Sequence, residues 1–207
     1  MASRCGMLTE PGALDWDKQA GLLPVVVQDA STLRVLMVGY MDREALAATL
    51  ESRRVTFYSR TRQRLWMKGE QSGNVLELVS LEADCDNDTL LALVHPRGPT
   101  CHLGTRSCFR QAPGNFLGEL EQVVVRRQLE RPEASYTTRL FEAGTRSIAQ
   151  KVGEEAVETA LAAVVQDEAA LCNESADLLY HLLVLLHARG LSLEDVVDVL
   201  KQRHQIR

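Results

Sequence analysis

The apolar residues of this chain change their period at Gln111-Ala112-Pro113-Gly114, and a chain that does so cannot be one uniform array of strands or of helices. Upstream the runs are short and β-rich. Leu22 to Val27 and Leu33 to Met41, separated by polar Asp29 to Thr32, read as a hairpin; Val55 to Arg60 with Leu65 to Lys68 read as a second strand pair; Val75 to Asp84 and Leu90 to Val94 read as two more strands. On Val75 to Asp84, alternation puts Val75, Glu77, Val79 and Leu81 on one face, with Leu76, Leu78 and Ser80 on the other. One short helix, Asp42 to Glu51, is capped by Asp42. Downstream the period is helical: a stripe of Phe116, Leu117, Leu120 and Val124 ending near Arg131-Pro132, a short piece Tyr136 to Ala143, then helices over Thr145 to Gln166, Glu168 to Arg189 and Ser192 to Arg203. Gly190 stops the fourth, and Ser192 with Asp195 forms a capping pattern for the last. The expected fold class is two domains. The first, residues 1–117, is α+β and mostly β; the second, residues 118–207, is an all-α helical bundle.

Two constellations stand out against this frame. In the first half Asp84-Cys85-Asp86-Asn87-Asp88 is answered by Cys101-His102 and Cys108. Carboxylates suit Mg²⁺ and thiolates suit Zn²⁺, so the run reads as serving two metals. On an extended strand Asp84, Asp86 and Asp88 would share one side and Cys85 the other. A calcium loop of the EF-hand type opens with the same aspartates but needs glycine sixth and glutamate twelfth, where this chain has Thr89 and His95. Cys85, Cys101 and Cys108 lack paired C-x-x-C spacing and an evident fourth partner, which fits a zinc ion with an open position; the plain alternative is three buried cysteines. His102 is open to three roles: fourth ligand, general acid/base, or a histidine with no chemistry.

In the second half Lys151-x-Gly-Glu154-Glu155-x-x-Glu158 sets Glu155 and Glu158 one helical turn apart with Glu154 alongside, and the next helix carries Glu174-x-x-Asp177. Two such helices packed antiparallel would bring four or five carboxylates into one cleft, where only cations relieve their repulsion. The apolar sides expected beside them are Ile148, Val152, Ala156 and Leu161, and Leu178, Leu179, Leu182 and Leu186. Oxygen-only ligands imply Mg²⁺ or Mn²⁺ with a polyphosphate partner; the alternative is an ordinary solvated face.

Composition narrows the classes further. A net charge of -5 argues against a general nucleic-acid binder. Five cysteines are an odd number for a disulfide scaffold, no run of about 18 apolar residues marks a membrane span, and Met1 to Leu23 lacks a continuous apolar leader core. The expectation is a cytoplasmic protein with reduced thiols, no nucleic-acid partner and no membrane.

Several longer motifs resemble two enzyme families of histidine biosynthesis. Phe57-Tyr58-Ser59-Arg60, Leu65-Trp66-x-Lys68-Gly69-Glu70-x-Ser72-Gly73-Asn74, the Asp84 to Asp88 run and Cys101-His102-x-Gly104-x-x-Ser107-Cys108-Phe109 are similar to phosphoribosyl-AMP cyclohydrolases. The Lys151 to Glu158 and Glu174 to Asp177 motifs are similar to phosphoribosyl-ATP pyrophosphohydrolases, an all-α class related to MazG. The resemblance implies that Glu154, Glu155, Glu158, Glu174 and Asp177 hold Mg²⁺ for release of pyrophosphate from phosphoribosyl-ATP, with Lys151 on the phosphates or simply solvated. It implies Zn²⁺ on Cys85, Cys101 and Cys108 activating water for ring opening of phosphoribosyl-AMP, His102 as candidate acid/base, and Mg²⁺ on Asp84, Asp86 and Asp88. Trp66, Lys68, Glu70, Ser72 and Asn74 are candidates for substrate contact, with Trp66 equally readable as a core residue. It also implies small-molecule nucleotide substrates and a homodimer with zinc ligands shared between subunits. A single-activity nucleoside triphosphate pyrophosphohydrolase with a structural zinc domain is the alternative reading.

Overall fold

The computed structural model describes Leu8 and residues 11–18 and 20–204. The absence of an apolar leader, read over Met1 to Leu23, therefore lies partly outside the described residues. The chain divides into two compact units, Met1–Asn115 and Phe116–Arg207. The boundary read from sequence stood after residue 117.

In the first unit β1 (Leu23–Asp29) and β2 (Val35–Met41) form the expected antiparallel hairpin. Helix α1 (Arg43–Ser52) follows, with the Asp42 carboxylate accepting from the Ala45 amide. β3 (Thr56–Ser59) and β4 (Arg64–Met67) make a separate two-stranded ribbon, while β5 (Leu76–Ala83) and β6 (Leu90–Pro96) complete a four-stranded sheet in the order β2-β1-β6-β5. All neighbours are antiparallel except β1 and β6, which run parallel. Alternate residues Leu23, Val25 and Val27 are completely buried, as period two demands of a half-covered strand. The ribbon closes on the sheet through Phe57, whose ring lies so near Gly39 that a Cβ there would come 2.4 Å from it. Trp66 packs behind Phe57, with ring centroids 5.8 Å apart.

One face assignment needs correction. The register shifts between Leu78 and Ser80, so beyond the irregularity Ser80 and Leu81 are both buried, and Leu81 does not share a face with Glu77.

Among the described residues the second unit has four helices: α2 (Phe116–Glu130), α3 (Tyr136–Val165), α4 (Glu168–Ala188) and α5 (Leu193–Arg203). α3 is two arms joined at Gly144, whose φ of 83° and ψ of 169° are not helical; the break falls where the sequence separates Tyr136 to Ala143 from Thr145 to Gln166. The apolar sides expected on the two long helices are displaced. The line buried on α3 runs through Ile148, Glu155 and Ala162, whereas Ala156 and Leu161 are exposed; on α4, Leu183 and Val184 are buried and Leu179 is exposed. The reason is that Glu155 itself points into the α3–α4 contact, so the inward stripe must follow its side of the helix. By length and composition alone α4 could pass for a membrane span, although Glu174 and Asp177 interrupt its apolar run.

Candidate active sites

In the first unit every candidate side chain except Trp66, which lies on β4, sits on a loop. Asp84 to Thr89 is the turn between β5 and β6, not the extended strand on which alternate sides were expected. The aspartates converge for a different reason. Asp84 accepts from the amides of Asp88 (3.0 Å) and Thr89 (3.1 Å), and Asn87 takes a left-handed φ of 59°, so the chain coils around the Asp84 carboxylate. Oxygens of Asp84, Asp86 and Asp88 come within 4.8 Å of one another. A cation already stands among them: the Lys18 ammonium bridges Asp86 and, at 2.6 Å, Asp88. The two carboxylates raise its pKa well above the ordinary lysine value. Lys18 is brought there by Leu14 and Trp16, both buried in the sheet core, and by the Asp15 amide donating to the Asn87 carbonyl at 2.8 Å.

The loop after β6 carries the thiols. It is stitched to β2 by the Ser107 hydroxyl donating to the Val35 carbonyl (2.7 Å) and the Cys108 amide donating to Leu36 (2.8 Å). It closes on itself where the Cys101 amide reaches Thr105. Cys101 and Cys108 lie side by side. The Leu103 amide and then the Thr105 hydroxyl hold the buried Cys101 thiol below its ordinary pKa, while desolvation and then Cys101 push Cys108 up. Cys101 is thus the readier thiolate of the pair. Lys68, only 9% exposed, faces both sulfurs; burial lowers its pKa against their opposing pull. The His102 Nδ1 is 4.0 Å from the Cys101 sulfur.

Among the described residues no three thiols converge, and Cys85, exposed in the β5–β6 turn, is apart from the other two. Of the remaining candidates Asn74, on the loop between β4 and β5, reaches the segment after β6, its carboxamide filling the space where Gly98 has no Cβ. Glu70 pairs with Arg64 at 3.0 Å, and Ser72 accepts from the Asn74 amide at 3.3 Å.

In the second unit the candidates sit on helices. Glu155 and Glu158 of α3 and Glu174 of α4 place carboxylate oxygens within 4.8 Å of one another. Glu155 is 7% exposed; burial raises its pKa, and Glu158 and Asp177 raise it further against the pull of His181 and Lys151. A cation among these carboxylates would relieve that mutual repulsion. Glu154 is turned elsewhere, to Lys151 at 2.8 Å and Gln150 at 2.8 Å. The sequence reading missed His181, 4% exposed. Its Nδ1 donates to the Asp177 carbonyl at 2.9 Å and stands 3.6 Å from Glu155, while its Nε2 is 3.0 Å from the Tyr136 hydroxyl.

A mixed sheet with thiols and aspartates on its loops is thus followed by helices that gather carboxylates, two units each with its own set of candidate metal ligands. Comparison with known families agrees with that division. The phosphoribosyl-AMP cyclohydrolase profile matches residues 37–110, and the phosphoribosyl-ATP pyrophosphohydrolase profile matches residues 117–204. The first match sets aside the single-activity alternative. Relatives named histidine biosynthesis bifunctional protein HisIE are similar over nearly the whole chain. The one from Xylella fastidiosa strain Temecula1 is 68% identical, covering 93% of this chain and 93% of its own; that from Xanthomonas axonopodis is 65% identical, with the same coverage. The one from Escherichia coli K12 is 58% identical over 96% of this chain and the whole of its own. The chain belongs to this family of bifunctional histidine-biosynthesis proteins.

Proposed function

We propose that the chain catalyses two consecutive hydrolyses. The helical unit cleaves phosphoribosyl-ATP to phosphoribosyl-AMP and pyrophosphate; the sheet unit then adds water at C6 of the N1-substituted adenine, and the N1 to C6 bond opens. The observation that carries this reading is the coincidence of each family match with one unit and one donor set.

In the helical unit Glu155, Glu158 and Glu174 are the metal ligands, Asp177 adds negative field, and Glu154 reaches the ion only by leaving Lys151. Their oxygen-only character fits Mg²⁺. When bound, the ion neutralises phosphate charge and orients the attacking water. Lys151 offers its ammonium to the polyphosphate.

In the sheet unit Cys101 and Cys108 supply two thiolates of a Zn²⁺ site, so a single chain holds an incomplete set. Cys85, exposed on its turn, supplies the third from a second copy of the chain, which makes the protein a homodimer. Bound zinc would lower the pKa of its water to about 7. Lys68 stabilises the paired thiolates, and His102, beside Cys101, moves the proton between water and leaving nitrogen. Asp84, Asp86 and Asp88 hold a second Mg²⁺ once Lys18 withdraws. Trp66, Glu70, Ser72 and Asn74 line the approach of the nucleotide. A cytoplasmic location would keep these thiols reduced and available for metal.

Purified protein given phosphoribosyl-ATP and Mg²⁺ should release pyrophosphate and then show the ultraviolet change of ring opening. Pyrophosphate without any such change, in protein loaded with zinc, would remove the second half of the assignment.

A further inference from the structure

His181 is the point at which both arms of the broken helix α3 meet α4. The arm before Gly144 reaches it through the Tyr136 hydroxyl at 3.0 Å, next to a second tie in which Thr137 and Tyr180 share a hydrogen bond of 2.8 Å. The arm after Gly144 reaches it through Glu155, 3.6 Å from Nδ1. The imidazole is fixed at both ends. A carbonyl only accepts, so the Asp177 contact requires the proton on Nδ1; in the neutral ring Nε2 then accepts from Tyr136. The tyrosine rings frame it edge-on, at 6.0 Å for Tyr136 and 5.1 Å for Tyr180. A buried ring so constrained has one orientation, which gives its Nδ1–H to the Asp177 carbonyl and leaves Nδ1 3.6 Å from the innermost carboxylate of the cluster, an electrostatic contact longer than a hydrogen bond.

We propose that His181 is a positioning residue for pyrophosphate release: it acts through Glu155, holding that carboxylate toward Glu158 and Glu174 while its other nitrogen ties down the arm that carries Tyr136. The inference rests on the reading of Glu155 as a metal ligand. Groups of this kind, one shell out from an ion, govern how tightly the ion is held more than the chemistry it performs. The magnesium concentration needed for half-maximal pyrophosphate release is therefore the quantity to measure, with phosphoribosyl-AMP ring opening on the same molecules reporting that the rest of the protein is intact.

Asparagine can place an amide N–H near the Nδ1 position and keep the Asp177 and Glu155 contacts; glutamine reaches the Nε2 position and keeps Tyr136 instead. His181→Asn should leave the magnesium requirement within about twofold of wild type, and His181→Gln should raise it about tenfold with the rate at saturating magnesium largely retained. Tyr136→Phe, at a half-exposed ring where folding is not at risk, should raise it by about threefold. A role confined to packing predicts instead that both His181 variants lose folded protein equally while the remaining molecules need no more magnesium, and that result would overturn the proposal. Glu155→Gln separates the two levels: if it raises the magnesium requirement and His181→Gln does not, the positioning role is wrong; if it has no effect, the ligand reading fails and takes this inference with it.

Discussion

The two units solve the gathering of candidate metal-binding groups in opposite ways. In the helical unit the carboxylates are carried by the same helices that make the contact between α3 and α4, and Glu155 lies on the buried line with Ile148 and Ala162. Folding the unit assembles the cluster within one chain. In the sheet unit the core is closed by residues such as Val25, Phe57 and Leu81, and the chemistry hangs on loops that the core merely anchors. There two thiols meet and the third does not. A site built into an interface of helices is complete when the fold is complete; a site on loops can be left open for a second chain to finish. The difference also shows in what lies exposed: Val164 is 81% and Val165 72% exposed near the end of α3, so the helical unit leaves apolar surface bare while its carboxylate site is already assembled.

The independence of the two sites predicts the largest effects. Glu158→Ala should lower pyrophosphate release on the order of a thousandfold and leave ring opening unchanged, and Cys101→Ala should do the reverse. Joint loss in folded protein would break the comparison. Next comes the incompleteness of the thiol site. Cys85→Ala and Cys101→Ala should each be inactive in ring opening, yet a refolded equal mixture should recover about a quarter of wild-type activity, because half the dimers are mixed and each mixed dimer has one intact site. No recovery, with mixed dimers demonstrated by mass, would mean that each chain uses its own three thiols. A smaller effect concerns Lys18. Its ammonium has to leave Asp86 and Asp88 before a divalent ion can bind there, so Lys18→Met in a Glu158→Ala background should tighten magnesium binding to the sheet unit about fivefold by calorimetry. Weaker binding would mean that the lysine shapes the loop and does not compete for it.

Local chemistry made the strands, the helix caps and the break at Gly144 legible in the sequence, because each depends on residues within a few positions. What depended on distant residues was not. The parallel pairing of β1 with β6 joins segments some sixty residues apart, and Lys18 meets Asp86 at a separation of 68. The convergence of Asp84, Asp86 and Asp88 was expected from the alternation of a strand and arises from a turn around Asp84. The expected apolar face of α3 ignored the possibility that a glutamate could lie on the inward line, where His181 and Lys151 both stand within reach of its carboxylate. His181 did leave a trace: it sits four residues after Asp177 in the run Leu178-Leu179-Tyr180-His181-Leu182, a polar ring on the turn that follows an acidic position.

The smallest effect tests whether the units are also separate in stability. Helix α5 begins with a reciprocal cap, Ser192 accepting from the Asp195 amide and Asp195 accepting from the Ser192 amide at 2.8 Å. These bonds, first that from the Ser192 hydroxyl at 2.6 Å, hold the Asp195 carboxyl below its ordinary value of 3.8. A carboxyl whose pKa is lower in the folded chain stabilises it at neutral pH, and that contribution disappears as pH falls through the lowered value. Ser192→Ala should therefore shift one thermal transition down by a few degrees at pH 7 and leave the other in place, with the shift shrinking as acid protonates Asp195. A single transition in which both units move together would show that the two halves, chemically independent, are bound into one cooperative structure. The thiol and carboxylate sites would then share a stability that neither unit has alone.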